Sequence, residues 1–352
     1  MGFVTAVKNG VKELFPAYFT LVMATGITSI GANLSKFSAV SNALFWVNNA
    51  FYGILIIFLL ARLLFYSKEF AHDFTAFKKS PGFLSVVAAT CILGTQYAQL
   101  KHNYLPASIL FWFGVGLWLL LTYAFFITIT TKSDKPSLQN GINGIWLLVV
   151  VSTQSIVVLG TTISGHLPLA PEPVLFFTLS AFLVGTLLYI QLITIIFYRL
   201  IFVPFTPQEM TPTYWINLGA ASITTLAGAT LMQNLSSTPG LSSFNPFVQG
   251  ISLLTWATAS WWLPYLIFLE LWKYLVKKAA LSYTPKFWST VFCLGMYTVA
   301  TQKLSGAIGV PFLKTIPQVF IYITLSMWVL VLLGMLISII KTLSSRKTKG
   351  LD

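Results

Sequence analysis

The sequence predicts an all-α integral membrane protein: ten transmembrane helices, paired as five helical hairpins in a quasi-fivefold ring around a central pore. Three observations carry this. Only 8% of residues are charged and 56% are hydrophobic, against roughly 25% charged in a soluble domain, so ionised groups are too few to cover a globule. Ten apolar runs reach the length of about 20 residues that a bilayer core of about 30 Å requires. Placing both termini on one side divides the 21 Lys and Arg into 17 on that side and 4 on the other, the 4 being Lys36, Lys101, Lys303 and Lys314. Cytoplasmic segments collect Lys and Arg, so a multi-pass protein of the plasma (cell) membrane is expected, with both termini in the cytoplasm.

Residues 1–14 form a short, weakly basic lead with no apolar core of its own, so no cleavable signal peptide is expected. The ten spans follow at 15–34, 42–66, 81–100, 106–130, 141–163, 173–201, 213–233, 246–277, 285–303 and 316–341, and residues 342–352 form a basic cytoplasmic tail. Strands are not expected, because these runs are too long and do not alternate. The odd-numbered spans share an opening of proline and aromatics: Pro16-Ala17-Tyr18-Phe19, Pro81-Gly82-Phe83-Leu84, Pro212-Thr213-Tyr214-Trp215 and Pro285-Lys286-Phe287-Trp288. The fifth departs with Asn143-Gly144-Ile145-Trp146 but keeps an aromatic. Proline suits the first turn of a helix and aromatics suit the headgroup level. All five then run through Gly, Ala, Ser, Thr and Gln, while the even-numbered spans are rich in Leu, Ile and Phe and most end in Lys or Arg. Polar inner helices and greasy outer helices give five hairpins, and five inner helices in a ring enclose a path.

Several function classes drop out. The net charge of +13 lies in loops at segment ends, as topogenic charge does, so no nucleic-acid partner is expected. Cys91 and Cys293 lie inside apolar runs with no metal-ligand spacing. Glu270 is the one carboxylate inside a predicted span, a turn from Lys273, and His72, His102 and His166 fall in loops or at helix ends. That leaves no acidic ring for cations, no proton relay and no acid/base or nucleophile set; no enzyme activity, metal or cofactor is expected. Anions remain. The path is expected to be lined by hydroxyls and amides: Thr25, Thr28, Thr90, Gln96, Gln154, Asn217, Thr225, Thr298, Thr301 and Gln302, with Ser29, Ser152, Ser155 and Thr224 as further candidates. Each has two readings, as pore lining or as the close packing common among membrane helices. Lys303 likewise is either a charge at the pore mouth or a lysine snorkelling to the interface.

The run Phe15-Pro16-Ala17-Tyr18-Phe19-Thr20-Leu21-Val22-Met23-Ala24-Thr25-Gly26-Ile27, the seventh-span Trp215 to Ala220, and Phe287-Trp288 through Phe292 to Thr301 resemble motifs of the tellurite-resistance/dicarboxylate transporter (TDT) family. That family includes a bacterial tellurite-resistance protein (TehA), fungal malate and sulfite transporters and plant slow anion channels. The resemblance runs from Phe15 to about Lys341. It implies ten helices around a quasi-fivefold pore, a homotrimer with one pore per subunit, and a phenylalanine that plugs the pore, which by motif position is Phe292. Seven residues on from each opening proline stand Met23, Ala88, Gly219 and Phe292, and Val150 joins them when the fifth span is registered on Asn143. At that level one aromatic faces mostly small side chains, and Gly295 is expected to give it room; the alternative is an ordinary packing aromatic. The expected function is a passive, gated anion pathway through a membrane, its partners small inorganic or organic anions and lipid. The alternative is a secondary carrier of C4-dicarboxylates such as malate, or of sulfite.

Overall fold

Ten helices of 15 residues or more follow one another along the chain: α1 (Thr20–Leu34), α2 (Ser38–Phe65), α3 (Ser85–Lys101), α4 (Tyr104–Thr131), α5 (Leu148–Thr162), α6 (Pro171–Phe202), α7 (Ile216–Leu235), α8 (Asn245–Leu271), α9 (Phe287–Ala307) and α10 (Thr315–Thr348). The computed structural model describes residues 3–348, with side chains over residues 7–341. The side chains of the basic tail at 342–352, and residues 349–352 altogether, lie outside the described residues. Three short helices that the apolar pattern does not show, Phe3–Lys12, Ser67–Phe74 and Leu138–Gly141, precede α1, α3 and α5. Among the described residues every regular element is helical.

Eight of the long helices are long and apolar enough to cross a membrane, which makes this a multi-pass membrane protein. The two others, α7 and α9, are helical but fall outside those eight, because threonines, glycines and amides lower their hydropathy. Burial separates inner from outer elements. Over their most apolar stretches α1, α3 and α5 are 83%, 83% and 94% buried, whereas α2, α4, α6, α8 and α10 are 22%, 22%, 44%, 28% and 17% buried. The outer helices present Leu, Ile and Phe all round because their surroundings are as apolar as they are. The inner helices carry small residues because close approach, not hydrophobic drive, is what packs helices there.

The packing order is cyclic: α1 lies against α3, α3 against α5, α5 against α7, α7 against α9, and α9 against α1. Each even-numbered helix packs on the odd-numbered helix before it. Two repeated devices hold this arrangement. Aromatic donors on outer helices reach the inner helix of the next hairpin: Tyr52 to Thr90 at 2.8 Å, Trp118 to Thr153 at 2.9 Å, Tyr189 to the Asn217 carbonyl at 3.3 Å, and Trp256 to Thr301 at 3.0 Å. Trp328 on α10 donates to Thr25 on α1 at 3.0 Å, which joins the last hairpin to the first. Each of these four threonine hydroxyls donates its own proton to the carbonyl four residues earlier and accepts the aromatic donor. At the opposite ends of the outer helices, a basic side chain ties back to the lead-in of its own hairpin. Arg62 donates to Leu14 O at 2.7 Å, Lys132 to Thr75 O at 3.0 Å, Arg199 to Gln139 O at 3.2 Å and Lys273 to Met210 O at 2.7 Å. Arg62 also pairs with buried Asp73 at 2.6 Å, and Lys79 reaches the same carboxylate at 2.7 Å.

Candidate functional site

The inner helices share a register that their openings set. A single 3-10 turn leads into α1, α3, α5 and α7, and the α-helix begins four residues after Pro16, Pro81, Gly144 and Pro212. Gly144, not Asn143, therefore stands where the prolines stand. Asn143 is the N-cap, its side chain accepting the Ile145 N–H at 2.9 Å. Gly144 is glycine for a reason, since a Cβ there would run into the Thr213 carbonyl of the adjacent opening.

Counting from these five positions (with Pro285 for α9) resolves one stripe per helix. Eleven residues on stand Ile27, Ile92, Ser155, Ile223 and Met296; fourteen on stand Ile30, Thr95, Val158, Leu226 and Val299. All ten line one narrow cavity, and Gln99 and Lys303, both eighteen residues on, complete its wall. Steps of seven, eleven, fourteen and eighteen keep to one face of a 3.6-residue helix. The cavity is tight: about 20 Å³ is open to water centres, little more than one water needs.

The same stripe continues toward the N-terminal ends, where space disappears. Thr20, Ser85, Leu148, Ile216 and Ser289 stand four residues on and Met23, Ala88, Val151, Gly219 and Phe292 seven on, and all are buried. Phe292 is the largest side chain of the two layers and is fully buried. A Cβ built on Gly219 would overlap Cys293 Sγ and stand 3.3 Å from Phe292 Cε1, so the ring abuts the one residue of its level that has no side chain.

Beyond this sealed zone the five openings surround a basin of about 400 Å³. Its wall includes Phe15, Lys79, Asn143, Thr211 and Lys286, each within two residues of an opening position, and also Lys78, Arg199 and Glu209. Arg199 is paired with Glu209 at 3.0 Å and Lys79 with Asp73 at 2.7 Å. Lys78 and Lys286 have no acidic partner within 4.0 Å among the described residues. The N-termini of five helices also meet here, and each carries a partial positive charge. Among the described residues no group of three or more His, Cys, Asp and Glu could hold a metal ion.

The family described as voltage-dependent anion channel, SLAC1, matches residues 13–336. The chain belongs to the SLAC1 family. A transporter of uncharacterized function from Methanocaldococcus jannaschii is 25% identical over 344 residues, 96% of this chain and 96% of the relative. A second from the same organism is 26% identical over 83% of this chain and 84% of its own length. An uncharacterized membrane protein of Mycobacterium tuberculosis is 33% identical over 149 residues, 42% of this chain and 75% of the relative.

In this SLAC1-family chain the expected site residues divide sharply. Met23, Gly219 and Phe292 lie in the sealed layer, and Lys303 lines the narrow cavity. Val150 is displaced by Val151, since Gly144 and not Asn143 sets the register. The expected hydroxyl and amide lining is elsewhere. Thr25, Thr90 and Thr301 accept the aromatic donors described above; Thr225 meets Thr255 at 2.9 Å and Thr298 meets Thr324 at 3.3 Å. Gln96 accepts from Asn48 at 2.7 Å and Gln154 donates to Phe182 O at 3.1 Å. Thr28 donates to Ala24 O within its own helix. Asn217 is buried with both side-chain polar atoms unpartnered, and Gln302 lines a separate surface hollow with Lys36 and Lys314. Gly295 does not make room for Phe292; a Cβ there would meet Ile27 at 2.9 Å and Thr324 at 3.3 Å, so it serves close packing against α1 and α10. The physical reason is general. A buried hydroxyl on an inner helix gains more from a fixed partner on an outer helix than from an apolar, nearly dry axis. Among the residues first named for the lining, Ser155 alone reaches the cavity. The isoleucines, valines and Met296 that do line it follow from extending the seven-residue level along the 3.6-residue stripe.

Proposed function

We propose that the chain is a passive anion pathway that runs along the shared stripe of its five inner helices, from the basic basin to the narrow cavity, with Phe292 as its plug. All ten long helices cross the bilayer in this reading, as five hairpins in a quasi-fivefold ring, with the basin and both termini on the cytoplasmic side of the plasma membrane. The observation that carries it is the single register in which all five helices line the cavity and then close at the Phe292 level. The SLAC1 match supports anions as the transported class. So does the basin, where Lys78 and Lys286 are unneutralised and five helix N-termini converge, because such positive potential concentrates anions. No stripe residue is a carboxylate or a histidine, which leaves proton coupling without a relay. The ring closes within one chain, so one path per subunit in a homotrimer is the proposed assembly, with the exposed outer helices meeting lipid and neighbouring subunits.

Purified protein in liposomes tests the mechanism. Chloride current that follows the electrochemical gradient, unchanged when a pH gradient is imposed, is expected. Saturable malate or sulfite uptake that collapses with the pH gradient would replace the passive pathway with a carrier.

A further inference from the structure

Lys303 occupies an unusual place for a lysine on a membrane helix. It is half-buried, and its side chain forms part of the wall of the narrow cavity rather than of a surface hollow. No acidic group lies within 4.0 Å of its ammonium among the described residues. Gln99 of α3 lines the same cavity at the equivalent register, eighteen residues from its opening proline, and its amide brings two N–H donors. The two hydroxyls in the wall have their protons committed within their own helices: Thr95 donates to Cys91 O at 2.9 Å and Ser155 to Val151 O at 2.7 Å. Everything else there is Ile, Val, Leu or Met. An ammonium without a counter-charge in such a wall is costly, and a mobile anion removes that cost.

We propose that Lys303 and Gln99 form a binding site for one small monovalent inorganic anion, held in the narrow cavity beyond Phe292. The proposal rests on the reading of the stripe as an anion path and adds to it a resting site and a preferred class of occupant. One positive charge neutralises one negative charge. A dianion would leave its second charge uncompensated among aliphatic side chains, at a cost that the site has no group to offset. The site therefore favours a halide or nitrate over sulfate or malate.

Bromide tests this directly, because its anomalous scattering marks its position in crystals and its binding is followed separately by thermal unfolding of the purified protein. Bromide is expected between Lys303 and Gln99. Lys303→Met should weaken binding about tenfold to a hundredfold, the range of one charge-assisted contact, while Lys303→Arg keeps it within about threefold. Gln99→Leu provides a second variant if Lys303→Met fails to fold, and should weaken binding about tenfold. Equal bromide binding by wild type and by either neutral variant, or bromide density only at other positions, overturns the site. The same preparations in a Phe292→Ala background separate the two claims. Anion flux without bromide at Lys303 leaves the path and removes the site. Bromide at Lys303 without anion flux leaves the site and removes the path.

Discussion

At Phe292 the packing is decided by what faces it. Its ring is fully buried, and the position across from it, Gly219, has no side chain to push it aside. Gly219→Ala would drive a methyl into Cys293 Sγ and toward the ring. Overpacking of this kind costs about 1–3 kcal/mol, so a lower unfolding temperature is expected, with a smaller drop when Cys293→Ala is present as well. Equal drops in both backgrounds would show that the two residues do not compete for space. Phe292 and Gly219 were legible in the sequence because proline marks the helix start and seven residues is two helical turns. The fifth helix was misread by one residue, since its start is marked by an N-cap asparagine followed by glycine, and the hydrogen bond that identifies Asn143 as the cap exists only in three dimensions. The same limit hid the direction of the hydroxyls. Thr25, Thr90 and Thr153 all stand nine residues from their openings, but nothing in a single sequence says that Trp328, Tyr52 and Trp118 lie opposite them.

Between elements, the fold depends on polar ties whose partners are far apart in sequence. The Trp328 to Thr25 hydrogen bond spans 303 residues and closes the cycle of hairpins. Trp328→Phe removes the donor while keeping most of the ring, and a loss of about 0.6–1.7 kcal/mol is expected from interhelical hydrogen bonds in membranes, read as a shift in chemical or thermal unfolding; no shift would mean that aliphatic packing alone closes the ring. Asp73 and Arg62 form a buried ion pair at the basin end. Burial alone would raise the Asp73 carboxyl, but Arg62 and Lys79 outweigh it and hold it below the ordinary aspartate value. A carboxyl lowered in the folded state adds stability above its unfolded value and loses it as pH falls through its folded one. Asp73→Asn should therefore cost about 3–5 kcal/mol at neutral pH by stranding Arg62, and the difference between variant and wild type should shrink in acid. A pH-independent difference would assign the cost to packing. The inner and outer character of the helices was readable from composition, as was the basic end of most outer helices. What those basic groups hold was not, because Leu14, Thr75, Gln139 and Met210 offer backbone carbonyls that carry no sequence signal.

For the molecule as a whole, the arrangement joins a wide basic entrance, a sealed aromatic level and a narrow, mostly aliphatic cavity along one register. The proposed orientation rests on the distribution of Lys and Arg and is open to a simple check. The native thiols Cys91 and Cys293 are fully buried, so an added cysteine reports alone. Lys314→Cys should react with an impermeant maleimide added outside intact cells, and Lys135→Cys only after the membrane is opened; the reverse pattern would invert the basin. Ten long helices fall where ten spans are expected, and eight of them are long and apolar enough to cross a membrane; α7 and α9 lack that hydropathy, and it is the repeated openings that mark where they begin. The most direct test of the whole account is anion current through single reconstituted preparations of wild type and Phe292→Ala, compared at equal protein and with Phe292→Trp as a size control. Current should rise about tenfold or more in the alanine variant, equivalent to a barrier lowered by about 1.4 kcal/mol, and should not rise in the tryptophan variant. Unchanged anion current in a correctly folded Phe292→Ala protein would contradict it.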